Sequence, residues 1–246
     1  MVGAGERRPS RLKVRVGFTP VEQVAAPLGI VIDVLRATST ICQALASGFE
    51  RVVCVGEIDD ARALAGPGVS LAGERGNFRI DGFDFGNSPR EFTRVDPLTV
   101  ATTLVLTTTN GTRLLLAAAA RCEEVIVASL LNFDAVVDAA HHADEVAVLC
   151  AGVEGAFAID DAYVAGRIAG ALGGEPDDAA VAAVRLAEAF AANEAGIGGG
   201  VSAANIRNAG LDDDIPFCAR QSVLDVLPRV VARSASAVEI ATSSRP

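Results

Sequence analysis

Short, almost uninterrupted apolar runs punctuate the chain: "GIVIDV" (29–34), "RVVCV" (51–55), "TTLVLTT" (102–108), "EVIVAS" (124–129) and "EVAVLCAG" (145–152). Runs of this length without polar alternation read as strands buried on both faces. Helical patterns lie between them, at 37–48, 58–65, 111–121, 132–142 and 160–172. That alternation predicts an α/β fold, layered α/β/α, around a largely parallel or mixed central sheet. After residue 175 the pattern becomes a helical C-terminal portion, about 177–195 and 200–210, interrupted by the glycine-rich break "EAGIGGGVS". "VSLAG" (69–73) reads as a further strand, and the tail after Asp225 as a last strand that then frays. No repeat and no long linker intervenes, so residues 1–246 are expected to form a single domain. About ten residues at the start and about six at the end should fray.

Composition narrows the class. A chain of 246 residues can bury a sizeable core. The apolar fraction is 50% and the mean hydropathy +0.37, yet no apolar run reaches the roughly 18 residues that span a bilayer. The N-terminus has basic residues but no apolar signal core. A cytoplasmic protein without a membrane segment is expected. The cysteines (Cys42, Cys54, Cys122, Cys150, Cys218) lie in apolar surroundings without CxxC spacing, which points to buried, reduced thiols and against zinc. The net charge of −10 argues against nucleic acid as a partner. An anion must then be held by a local site. Alanine on the late helices hints at a homo-oligomer.

Polar clusters fall where the predicted strands end. Asp33, Arg36, Thr38 and Thr40 follow the first; "TTTNGT" (107–112) follows another; "CAGVEG" (150–155) and "IDDAYVAG" (159–166) surround a helix start. Ligands of open α/β sheets bind beyond the carboxyl ends of strands, beside helix N-termini that favour anions. The inventory is carboxylates, arginines, amides and hydroxyls; the adjacent His141 and His142 read as a solvated helix end. Hard oxygen ligands beside anion-binding donors suit Mg²⁺ and a phosphate group. Familiar phosphate machineries are absent. There is no GxxxxGK[ST] loop; Cys150 is followed by Ala156 where a thiolate phosphatase needs arginine; Leu35 stands where a DxD enzyme needs aspartate.

"DVLRATSTI" (33–41), "GERGNFRIDGFDFGNSPREF" (73–92), "TTTNGTR" (107–113) and "CAGVEGAFAIDDAYVAG" (150–166) resemble, in order and spacing, the motifs of the 2-phosphosulfolactate phosphatase family. "DDDIPFCA" with Pro228 is similar to its C-terminal segment. The resemblance runs from about residue 28 to 228. It implies a Mg²⁺-dependent phosphatase that hydrolyses 2-phosphosulfolactate, a small anionic substrate, to 3-sulfolactate and phosphate, a step in one route to coenzyme M. The chain departs from the pattern at Ala158, Ile159, Asp160 and Asp161, where the family usually has Ser-Leu-Glu-Asp. "SAANIRNAG" (202–210) lacks a usual histidine-glycine pair.

Each candidate has a plainer alternative. Asp33 is a Mg²⁺ ligand or the cap of the helix starting near Ala37. Arg36 clamps an anion or pairs with Asp33, and can do both. Glu74 and Arg75 would be a solvated turn; the resemblance makes them metal ligand and anion clamp. Ser88 caps a helix with Pro89 at its first position, while Asn87 offers its amide to a phosphate. Asp81 and Glu91 read as surface charges. Asn110, Gly111 and Thr112 form a turn or a nest of N–H groups for an anion. Glu154 and the pair Asp160/Asp161 complete the acidic side. Helical neighbours lie about 100° apart, so one of the pair should face the site, and the resemblance favours Asp161. Rival functions are a like phosphatase for another small phosphorylated acid, and a non-catalytic protein that binds a phosphorylated ligand.

Overall fold

A computed structural model describes residues 11–97 and 100–242; the expected frayed residues 1–10 and 243–246 lie outside the described residues, whereas 241–242 belong to the last strand. The strands are β1 (Lys13–Gly17), β2 (Leu28–Ile32), β3 (Arg51–Val55), β4 (Val69–Arg75), β5 (Phe78–Arg79), β6 (Thr103–Thr107), β7 (Glu124–Ala128), β8 (Glu145–Cys150), β9 (Glu175–Pro176), β10 (Pro228–Arg233) and β11 (Ala237–Thr242). The helices are α1 (Ala37–Ala46), α2 (Ile58–Ala63), α3 (Pro89–Phe92), α4 (Gly111–Ala119), α5 (Phe133–Ala140), α6 (Ile159–Leu172), α7 (Asp178–Glu188), α8 (Asn193–Gly198), α9 (Val201–Asn208) and α10 (Asp214–Cys218). The expected α/β fold with a mixed sheet is what forms.

All the strands share one sheet in the order β5-β4-β6-β3-β11-β10-β7-β2-β8-β1-β9. β4, β6 and β3 run parallel to one another, as do β7, β2, β8 and β1. The hairpin β10–β11 sits between these groups and pairs antiparallel with both, through Arg229 opposite Ile126 and Val238 opposite Cys54. The two groups therefore run in opposite directions. The sequence pattern anticipates the hairpin only as one terminal strand.

Period-2 alternation distributes each strand between two cores. Ile30 and Ile32 pack with Ile126, Val148, Tyr163 and Ile168 under α5 to α9. Val31, between them, joins Val127, Leu149, Val52, Leu104, Leu106 and Ile240 around Ile41 of α1 and Leu115 of α4. Val105 and Val55 turn to a third, smaller cluster with Ala61 of α2, Ile80 and Phe83. Double-sided burial is why these strands read as unbroken apolar runs.

Several elements escape the pattern, among them the short β5, β9 and α10; β1 and α8 are instructive. β1 alternates exposed Lys13 and Arg15 with buried Val14 and Val16, so its basic residues mask a strand. Part of "EAGIGGGVS" is not a break but helix α8, where a Cβ on Gly196 would lie 2.5 Å from the Tyr163 ring. Close packing, not flexibility, selects that glycine. The same holds where α6 meets α7: a Cβ on Gly166 would lie 2.0 Å from the Ala183 carbonyl oxygen. Gly166→Ala should destabilise the protein by about 1–3 kcal/mol through forced separation of the helices, read as a lower urea midpoint. An unchanged midpoint would show that the α6–α7 interface yields freely.

Candidate active site

One cavity, about 130 Å³ in volume, is lined by residues from the carboxyl ends of β2, β4, β6 and β8 and from the starts of α6 and α9. In a flat sheet, oppositely directed groups would send these ends apart. Six steps separate β4 from β2 in the sheet order, and sheet twist, which accumulates in one sense at every step, rotates the one group relative to the other.

The cavity brings together Asp33, Arg36, Glu74, Asn87, Asn110, Glu154, Asp160 and Asp161, and adds Asn77, Ser202 and Asn205. Asp33, just past β2, is buried; its Oδ1 accepts the Ala37 N–H at 3.2 Å. The cap-like bond and a place in the cavity thus coexist. Glu74 accepts at both oxygens, from the Asn77 N–H at 2.8 Å and from the Thr109 N–H and hydroxyl at 2.8 and 3.0 Å. Asp161 likewise ties two loops together, accepting the Val34 N–H at 2.9 Å and the Gly152 N–H at 3.0 Å. Asp160 accepts the Ser202 hydroxyl at 2.9 Å. Asn110 Oδ1 receives the Glu154 N–H at 3.1 Å, joining the loops after β6 and β8.

Both aspartates of the pair line the cavity, contrary to the expectation that one would face it. The angular argument applies to the side of a helix, whereas this cavity lies at the start of α6, where the neighbours Asp160 and Asp161 both reach it.

Arg36 is buried at 2% exposure and pairs not with Asp33 but with Asp214, Nη1 to Oδ2 at 2.8 Å. Its Nη2 donates to Asn77 Oδ1 at 3.2 Å, and its Nε is buried without a partner. Asn87 Oδ1 is likewise unpartnered. Buried polar atoms are nearly always satisfied, so two orphans beside one cavity point to a ligand's polar groups.

Four expected site residues stand away from the cavity lining. Arg75 turns to the Glu74 and Gly56 carbonyls and the Thr107 hydroxyl, because β4 extends through it and neighbours on a strand face opposite ways. Ser88 occupies the cap position of α3, but its hydroxyl donates to Asp214 Oδ1 at 2.6 Å. Thr112 is fully buried and exchanges hydrogen bonds with Thr108, which occupies its N–H and leaves the proposed nest one donor short. Gly111 serves proximity: a Cβ there would lie 2.5 Å from Ala37 Cβ and 2.6 Å from Asp33 Oδ2. Glu91, read as a surface charge, holds the Gly86 N–H at 3.0 Å. Asp214 was concealed in "LDDDIPF", where three successive acids suggest a solvated face; only Asp214 of the three is buried. The five thiols are buried and free, as expected.

Burial raises the carboxyl pKa of Asp33 to about 7, with further push from the charges of Asp160 and Glu74. Burial likewise takes Asp160 to about 6 and Asp161 well above the usual range, where Asp160 and Asp33 add to it. Among the described residues no three acidic, histidine or cysteine side chains are gathered as a ready-made metal cluster. Mg²⁺ needs none: it commonly takes one or two carboxylates and fills its shell with water and phosphate oxygens. The hard, mutually repelling oxygen donors of this cavity fit such an ion.

These shifts set a pH dependence. The unfolded acids titrate near 3.8, so through the interval up to about 6 and 7 the native state keeps protons that the unfolded state has lost. That stability is complete below the unfolded value and disappears as pH rises through the folded ones. In EDTA the melting temperature should therefore fall between about pH 5 and about pH 8, and fall less in Asp33→Asn. A flat or rising profile by scanning fluorimetry would contradict the burial of protonated acids here.

A family model described as 2-phosphosulpholactate phosphatase matches residues 17–233. A protein named probable 2-phosphosulfolactate phosphatase from Thermus thermophilus is 35% identical, over 92% of this chain and 98% of its own length. One of the same name from Thermotoga maritima is 37% identical over 89% and 95%. The protein named 2-phosphosulfolactate phosphatase from Methanothermobacter thermautotrophicus is 36% identical over 88% and 92%. The chain belongs to the 2-phosphosulfolactate phosphatase family.

Proposed function

We propose that this chain is a Mg²⁺-dependent phosphatase that hydrolyses 2-phosphosulfolactate to 3-sulfolactate and inorganic phosphate, a step in one route to coenzyme M. The observation that carries the metal part is the charge balance of the cavity. Asp33, Glu74, Glu154, Asp160 and Asp161 line it against the single guanidinium of Arg36. Where those acids are ionised, a substrate carrying phosphate, carboxylate and sulfonate would be repelled by that wall unless a divalent cation reversed its sign. The ion itself would displace the protons that burial keeps on Asp33 and Asp161. Asp33, Glu74 and Asp161 are the acids the family resemblance implies for the ion. Since no three such side chains are gathered among the described residues, one or two of them would hold it, and water and phosphate oxygens would fill the shell. When bound, Mg²⁺ supplies Lewis-acid polarisation of a phosphoryl oxygen and a lower pKa for a coordinated water.

The remaining work falls to the chain itself. Arg36 meets the phosphoryl oxygens with its free Nε–H and stabilises the charge they gain during transfer. The N-terminal ends of α1 and α6, which begin beside Arg36 and at Ile159, add the positive ends of their dipoles. Asn87 and Asn205 are neutral amides that orient the substrate's acid groups without further charge, while the Ser202 hydroxyl is engaged by Asp160. A cavity of about 130 Å³ suits a small acid rather than a nucleotide.

Phosphate release from racemic 2-phosphosulfolactate, 2-phospholactate and phosphoglycolate, each with Mg²⁺ and with EDTA, tests this reading. Fastest turnover of 2-phosphosulfolactate with Mg²⁺ and none in EDTA is expected. Full activity after exhaustive chelation would remove the metal from the mechanism, and preference for another ester would reassign the substrate.

Roles within the cavity separate by magnesium titration of initial rates. Asp33→Asn weakens the hold on the ion, so raising Mg²⁺ should restore part of its rate. Arg36→Lys keeps the charge but loses the planar fork, lowering kcat/KM about tenfold to a hundredfold, the weight of one charged hydrogen bond. Magnesium should not restore it. Equal rescue of both folded variants, or of neither, would overturn the assignment.

A further inference from the structure

We propose that Asp214 is a positioning residue that aims Arg36, fixing its guanidinium so that the N–H groups it leaves free, that of Nε among them, meet the ligand's phosphoryl group. The proposal rests on reading the cavity as a phosphate site. It stands on three elements that meet far apart in sequence. Asp214, at 0% exposure on α10, lies 178 positions from Arg36 and does not line the cavity. Its two oxygens are divided: Oδ2 accepts from Arg36 Nη1 at 2.8 Å, and Oδ1 accepts from the Ser88 hydroxyl at 2.6 Å.

Ser88 is itself fixed, because it precedes Pro89 at the start of α3 and follows Asn87, whose carbonyl accepts the Thr40 hydroxyl of α1 at 3.0 Å. The carboxylate is thus clamped from the side opposite the arginine. Asn77 Oδ1 takes Nη2 at 3.2 Å. With each terminal nitrogen tied to a partner the guanidinium plane is held; Nη1 keeps a second N–H, and Nε remains buried and unpartnered on a residue that lines the cavity.

Stability alone does not account for the arrangement. A buried ion pair usually does no better than apolar residues of the same volume, and this one leaves a donor unsatisfied. Orientation does account for it, since a preset donor loses no freedom when the anion arrives.

The experiment is calorimetric titration with inorganic phosphate, at saturating Mg²⁺, of the wild type, Asp214→Asn, Arg36→Lys and the double variant. Asp214→Asn keeps the shape and removes the charge. It should weaken phosphate binding about tenfold or more, and it should add no further loss in the Arg36→Lys background, because effects transmitted through one residue are not additive. A folded Asp214→Asn that binds phosphate normally, or an equal loss in both backgrounds, would overturn the proposal. So would a wild type that binds no phosphate. If Asp214→Asn fails to fold by circular dichroism, Ser88→Ala replaces it: the ion pair stays, the clamp goes, and weaker binding confined to the Arg36 background is expected. Unaltered binding in Ser88→Ala would overturn the proposal equally. Phosphate binding that follows this pattern without hydrolysis of 2-phosphosulfolactate would refute the substrate reading and leave Asp214 in its role.

Discussion

Holding Asp33, Glu74, Asp160 and Asp161 around one small cavity sets like charges against one another in a place where water can stabilise them only in part. Much of the local architecture compensates for that. Backbone N–H groups of Ala37, Asn77, Thr109, Val34 and Gly152 are all directed at these carboxylates. The same bonds join the loop after β2 to that after β8, and the end of β4 to the loop after β6, while Asn110 and Glu154 link the loops after β6 and β8. Asp161 serves both ends at once: a charge in the cavity and a brace between two strand termini. Substituting it would therefore disturb the frame as well as the chemistry, which makes Asp33 and Asp160 cleaner probes of the site.

What could be read from the chain follows from how local each feature is. Strands buried on both faces announce themselves as apolar runs, and polar residues just beyond them mark Asp33, Asn110 and Glu154 as site candidates without any knowledge of pairing. Glu74 and Arg75 show the limit. The pair was legible as chemically interesting, but which of two neighbours faces inward depends on where the strand stops, and β4 continues through Arg75. Thr112 stands outside the cavity lining for a similarly hidden reason: its hydroxyl and N–H close a loop with Thr108 that no spacing rule reveals.

Non-local pairing hid the rest. The antiparallel insertion of β10–β11 depends on partners more than a hundred residues away, and the partner of Arg36 lies on α10 near the end of the chain. Local propensity carries no information about either. The glycines were ambiguous in the same sense. Gly196 and Gly111 occupy positions that the neighbouring packing leaves no room to fill, a property of the assembled fold and not of the turn signal their letters suggest.

The place of the hairpin has a consequence for how the protein is made. β10 and β11 come later in the chain than every other described strand of the sheet, yet they occupy its middle. Until they arrive, β3 and β7 each present an open edge of unpaired N–H and C=O groups, the feature that templates aggregation. Domains usually begin to consolidate from the N-terminus during synthesis. Here the two parallel groups must wait, partly formed and unjoined, until residues 228–242 emerge. The newborn chain is therefore in need of chaperone protection until that hairpin has been made, and loss of β10–β11 would strand two half-built sheets instead of trimming an edge.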